Sequence, residues 1–134
     1  FAGVVGMFFK GPPSKPRADM TIVYEAASNQ APMIISGEQL NAIEPLVVKD
    51  ITNLKERLGL KYRFLRLSTF NIYDRDALWI EGTVMKGNEK PKRDFTFICY
   101  RGNKLYVLMF TMPETEVQTM WPEIKAIIQS IGFS

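Results

Sequence analysis

The sequence predicts a single α+β domain, residues 1–134, in which an antiparallel sheet of about six strands is sandwiched between helices. Three observations predict this α/β/α sandwich. Two long segments carry apolar residues at helical spacing on one side only. About six other segments have the composition or alternation of strands. Most breaks between these strands are too short for a parallel crossover, so neighbouring strands must be antiparallel. A helix on each face would bury both apolar stripes.

The first two strands are expected to form a hairpin. Residues 4–9 are an apolar run, and residues 20–26 alternate between two faces. The segment between them, residues 11–17, contains three prolines and is typical of a stiff exposed loop. Two antiparallel strands that lie this close together in the sequence are expected to pair with each other.

The first helix is predicted to begin at a capping box formed by Ser36 and Gln39. Gly59 suits the left-handed position that ends a helix. Between them runs an apolar stripe, which we expect to be buried against the sheet and to continue past Pro45. Its members, three or four residues apart, are Leu40, Ile43, Val47, Ile51, Leu54 and Leu58.

Four strand candidates follow in a row, over residues 62–72, 77–85, 94–101 and 104–111. The last break is a Gly-Asn pair, a strong signal for a two-residue hairpin. The centre of the protein is therefore predicted to be an antiparallel meander.

A second helix is predicted over residues 115–131, with Pro122 near its start. Its apolar stripe consists of Val117, Met120, Ile124, Ile127 and Ile131, and the last three of these are expected to be buried.

Composition excludes several kinds of site. The sequence has no histidine, a single cysteine and a net charge of +3. It therefore has no Ser–His–Asp or Cys–His pair, no histidine-ligated metal, no intramolecular disulfide and no multi-cysteine cluster. No apolar run of membrane-spanning length is present. We expect no cofactor.

Carboxylates are the remaining candidates for chemistry. Asp74 and Asp76 flank Arg75 in a turn between strands, where aspartates usually cap the turn and are solvated. Glu81 shares a strand face with Trp79. Cys99 alternates with apolar neighbours and is expected to be a buried, inert thiol.

The candidate partner-contact surface is a basic turn that carries Lys86, Lys90, Lys92 and Arg93. A cluster of this kind could contact a phosphate or an acidic partner, or could be a solvated hairpin tip. The turn has no aromatic residue for base stacking, which disfavours nucleic-acid binding.

The second half of the chain resembles PsbP-like domains. The similarity lies in residues 76–83, 104–108, 112–114 and 127–133 and in Trp121. The resemblance implies an α/β/α sandwich. It implies no established enzyme class, because the family includes extrinsic photosystem II proteins, a Ran-GTPase-binding nuclear protein and bacterial exported proteins or lipoproteins of unknown role. A histidine-dependent metal site of plant members has no counterpart here.

These observations predict a non-enzymatic binding or accessory module, extracytoplasmic in a bacterium, with an unknown protein or acidic partner. Because the chain opens at Phe1 in strand-like sequence, we expect an upstream export signal, with a lipidated cysteine as a possible membrane tether. A cytoplasmic location is the alternative. For function, the alternatives are a small enzyme that uses Glu81 or the Asp74/Asp76 pair, and a weak binder of acidic partners or nucleic acid.

Overall fold

A computed structural model describes residues 3–10, 18–26, 36–72, 75–101 and 104–130, with side chains for 36–71, 76–99 and 106–129. The described strands are β1 Gly3–Lys10, β2 Ala18–Ala26, β3 Lys61–Ile72, β4 Arg75–Met85, β5 Lys92–Arg101 and β6 Lys104–Pro113. The described helices are α1 Gly37–Arg57 and α2 Val117–Ser130, the latter preceded by a short 3₁₀ turn, Glu114–Glu116.

The sheet runs in the order β1-β2-β6-β5-β4-β3, and every neighbouring pair is antiparallel. Strands β3 to β6 form the predicted meander, because each one pairs with the next along the chain. Together with the two helices they confirm the α+β class. The β1–β2 hairpin adds to the β6 side, and α1 carries the chain from there to the opposite edge.

Helix α1 begins and ends at the residues that the sequence indicated. The Ser36 hydroxyl accepts from the Gln39 backbone N–H at 3.1 Å, and the Gln39 side chain accepts from the Ser36 N–H at 2.9 Å. Gly59 has φ +78°, and the N–H groups of Gly59 and Leu60 donate to the carbonyls of Glu56 and Lys55. These are the paired bonds of a Schellman ending, which only glycine makes without strain.

The two helices lie on opposite faces of the sheet. The α2 face holds a continuous apolar core, because alternate residues of β4, β5 and β6 meet the inner stripe of the helix. Its buried members are Ala77, Trp79, Phe95, Phe97, Cys99, Leu108, Phe110, Met112, Met120, Ile124 and Ile128. The α1 face includes buried Ile80, Val84 and Ile51 together with polar groups.

Three sequence predictions about the helices were wrong in detail. The α1 stripe is not uniformly buried: Ile51 is 7% exposed, whereas Leu58 is 61% exposed. Leu58 is the C-cap residue, where the chain already turns away towards β3. Pro122 lies in the second turn of α2 rather than at its start. Ile127 is only partly buried, and Ile131 lies outside the described residues.

Candidate functional site

The predicted basic surface is divided by the sheet. Lys86 and Lys90 are exposed in the β4–β5 turn, which Gly87 closes at φ +58°, and Lys92 is partly buried at the start of β5. Arg93 belongs to the other face because successive strand residues point in opposite directions. The structure therefore brings the three lysines to one turn and Arg93 to a different group of charges.

Arg93 and Glu81 belong to one ion-pair network on the α2 face. The Arg93 guanidinium forms two hydrogen bonds with the Glu114 carboxylate and lies 3.8 Å from Glu81 Oε2. The Glu114 bonds raise the pKa of Arg93. Glu81 Oε1 accepts from Arg66 at 2.9 Å and from the Trp79 indole N–H at 3.3 Å. Both Glu81 oxygens thus face cationic or N–H groups, an arrangement typical of a structural network.

The other predicted carboxylates do not form a described site. Asp76 lies on β4 and accepts a hydrogen bond from the Asn71 side chain at 3.1 Å. Asp74 lies outside the described residues, so the pair is not described together. Within the described part of the chain, no group of three or more Asp, Glu, Cys or His side chains is placed to hold a metal ion.

Cys99 lies in the core of the α2 face. Its side chain is buried, and burial raises the pKa of the thiol to about 12. A thiol with so high a pKa carries almost no thiolate at neutral pH and is a poor nucleophile.

A buried polar cluster on the α1 face was not predicted from the sequence. Lys55 Nζ donates to Asp94 Oδ1 at 2.9 Å, and both side chains are almost fully buried. The Thr111 hydroxyl donates to Oδ1 at 3.0 Å and the Thr96 hydroxyl to Oδ2 at 3.4 Å. Lys55 also lies 3.8 Å from the Met109 sulfur. The carboxylate is therefore compensated by one cation and two hydroxyl groups.

Tyr62 lies beside this cluster. Its hydroxyl is buried and has no hydrogen-bond partner among the described residues. Burial raises the pKa of the phenol, and the charge of Asp94 raises it further. The ring lies over Gly82, where an added Cβ would collide with it. Glycine at this position lets the tyrosine pack flat against the sheet.

Sequence reasoning passed over Lys55 and Asp94, although a signal existed. Lys55 follows Ile51 by four residues, so it extends the apolar stripe of α1. Asp94 shares its strand face with Thr96 and Ile98, opposite the face of Phe95. A charged residue at a core position in each of two elements indicates a buried pair, but only if the two elements are known to meet.

A cleft of about 370 Å³ opens between α1 and the sheet next to this cluster. Its inner wall is mostly apolar, and its outer rim on the helix is polar. The apolar lining residues are Val47, Ile51, Leu54, Ile98, Val107 and Met109. The polar ones are Asp50, Asn53, Arg57 and Thr96. Thr96 belongs both to the buried polar cluster and to the lining of the cleft, because its hydroxyl donates to Asp94 at one end of the cleft.

Neither described helix is long and apolar enough to span a membrane.

Comparisons with known proteins give matches by structure only. No family model matches the sequence, and no curated protein matches it. The solution structure of cyanobacterial PsbP from Synechocystis sp. PCC 6803 is 9% identical, with a TM-score of 0.62, over 88% of this chain and 68% of that one.

A second similar structure is that of a Pseudomonas aeruginosa protein of unknown function, described as a proposed regulator. It is 13% identical, with a TM-score of 0.64, over 98% of this chain and 83% of that one. At such identities the likeness shows the fold alone, and it bears out the resemblance that the sequence suggested: this chain has a PsbP-like fold.

Proposed function

We propose that this protein is a non-enzymatic binding module that takes its ligand in the cleft between α1 and the sheet. The observation that carries this proposal is the cleft itself, about 370 Å³ in volume, with an apolar wall and a few polar groups. Small-molecule sites have this size and this composition. The helix that forms one side is only partly packed, since most of its stripe is half-buried.

The alternative of an enzyme that uses carboxylates has weaker support. A general acid or base needs a carboxyl group that is free to exchange a proton with substrate. Glu81 is engaged by Arg66, Trp79 and Arg93. Asp94 is buried beneath Lys55 and two threonines.

The cleft is tested with a neutral apolar dye, N-phenyl-1-naphthylamine, whose emission rises in apolar surroundings. The dye should bind the wild-type protein. Leu54→Trp places a large ring in the cleft lining and should weaken binding at least tenfold. Leu46→Trp is the matched control, because Leu46 lies on the same helix, is 63% exposed and does not line the cleft. Equal binding by both variants would contradict the assignment.

The basic turn is a second candidate surface, for an acidic protein partner. Its support is the exposure of Lys86 and Lys90 beside Lys92. Arg93 is bound to Glu114 and Glu81, so we expect it to contribute little to such a contact. Replacing the three lysines with Glu should abolish capture of an acidic partner. Replacing Lys49 with Glu should not, because this exposed lysine lies outside both the turn and the cleft lining.

The extracytoplasmic location, the export signal and the lipidated anchor also belong to the proposal. They are supported by the resemblance of the chain to the PsbP-like family, which includes exported bacterial proteins. Fractionation of the source cells, with N-terminal sequencing of the mature protein, tests them. A cytoplasmic protein that retains an initiator methionine would contradict all three.

A further inference from the structure

We infer that the ligand of the cleft is a small anionic amphiphile, with its negative head group at Arg57 and its apolar chain along the sheet. This inference rests on the proposed binding function and specifies the ligand class. It follows from the volume of the cleft and from the distribution of apolar and charged groups along its length.

The volume limits the size of the ligand. A cleft of about 370 Å³ holds about a dozen groups of water size, at about 30 Å³ each. That corresponds to a chain of about ten carbons with a small head group.

The sheet side of the cleft has an apolar end and a polar end, whereas the polar helix residues lie along its outer rim. Ile98 is directly opposite Val107, and Thr96 is directly opposite Met109, two pairs further towards the Asp94 end of the strands. Lys55 reaches Asp94 and Met109, so the last turn of α1 lies over this polar end. Earlier turns of the helix line the rest of the cleft. The apolar part suits a hydrocarbon chain and the polar part suits a head group.

Charge determines the sign of the head group. Lys55 is neutralised by Asp94, whereas Arg57 lines the cleft and forms no ion pair with another described residue. Asp50, the other charged lining residue, lies seven residues earlier, about 10 Å along the helix axis at 1.5 Å per residue. An anion is therefore attracted to the polar end by Arg57 and repelled from the other end by Asp50. A guanidinium also bonds a carboxylate through two N–H groups.

Three probes with the same ten-carbon chain test the inference: decanoate, decanol and decyltrimethylammonium. Each is titrated against the dye-loaded protein. Decanoate should bind at least threefold more tightly than decyltrimethylammonium. Arg57→Gln should weaken decanoate about threefold to tenfold and leave decanol unchanged. Asp50→Asn should strengthen decanoate. Lys49→Gln, on the same helix but outside the lining, is the matched control and should change nothing.

The outcomes separate this inference from the proposed function. If the dye binds and Leu54→Trp blocks it, but the three probes bind equally or the cation binds best, the cleft is a binding site and the anionic ligand is wrong. The anionic ligand is also wrong if Arg57→Gln weakens all three probes alike. If decanoate binds with equal affinity to the wild type and Leu54→Trp, the cleft assignment fails, and this inference fails with it.

Discussion

The two faces of the sheet are packed in different ways. On the α2 face, Trp79 stacks on Phe95 with ring centroids 5.1 Å apart, and Trp121 contacts both rings edge-on or tilted. Phe97 and Ile128 are fully buried within the same cluster. On the α1 face, the helix stripe is mostly half-buried, the buried groups include an ion pair, and a cleft remains open.

This difference separates the scaffold from the proposed site. Close-packed aromatic contacts give stability and leave no room for a ligand. A helix that covers its face of the sheet incompletely leaves space and apolar surface for a ligand. The buried ion pair between α1 and the sheet restricts the position of the helix. The α1 face is where a change in ligand or partner can be accommodated with the least disturbance to the core.

The largest effect is expected on the α2 face. Phe97→Ala should lower the free energy of unfolding by about 3–5 kcal/mol, since it removes a fully buried ring from a close-packed cluster. Leu54→Ala, on the α1 face, should cost less than about 2 kcal/mol because Leu54 is only half-buried and lines a cleft. Urea denaturation measures both. Equal losses would contradict the comparison.

The next effect tests the ion pair. Lys55→Met leaves the buried Asp94 carboxylate without its cation and should cost about 3 kcal/mol, the low end for a broken buried pair, because two threonines still donate to Asp94. The double variant Lys55→Met, Asp94→Leu should regain most of that loss. Lys49→Met, an exposed lysine on the same helix, is the control. If the double variant is no more stable than Lys55→Met, the unpaired Asp94 carboxylate is not the cause of the instability of Lys55→Met.

The smallest effect at neutral pH concerns Cys99. Its folded pKa is raised to about 12 from 9.0. The stability that it contributes is therefore complete below about pH 9 and is lost as the pH rises towards 12, because the unfolded thiol ionises first. Wild type and Cys99→Ala should show the same dependence of stability on pH up to about pH 9, and the wild type should then fall more steeply. Parallel curves up to pH 11 would contradict the buried assignment.

Local features of the fold could be predicted because their causes are local. The capping box at Ser36, the left-handed Gly59, the meander and the two helices all follow from periodicity and turn chemistry within a few residues. The same periodicity overestimated the burial of Leu58, since a stripe indicates which side of a helix is apolar but not how much of that side is covered.

The site could not be predicted in this way. Lys55 and Asp94 are 39 residues apart, and Arg93 and Glu114 are 21 apart. A buried charge is stable only if a distant element supplies its partner. Sequence alone determined the class of the domain, its helix boundaries, its antiparallel strands and the residue types that exclude histidine and multi-cysteine chemistry. The tertiary structure decided which charges are paired, and where α1 leaves a cleft open. The position of a helix on a sheet depends on contacts that no local pattern encodes.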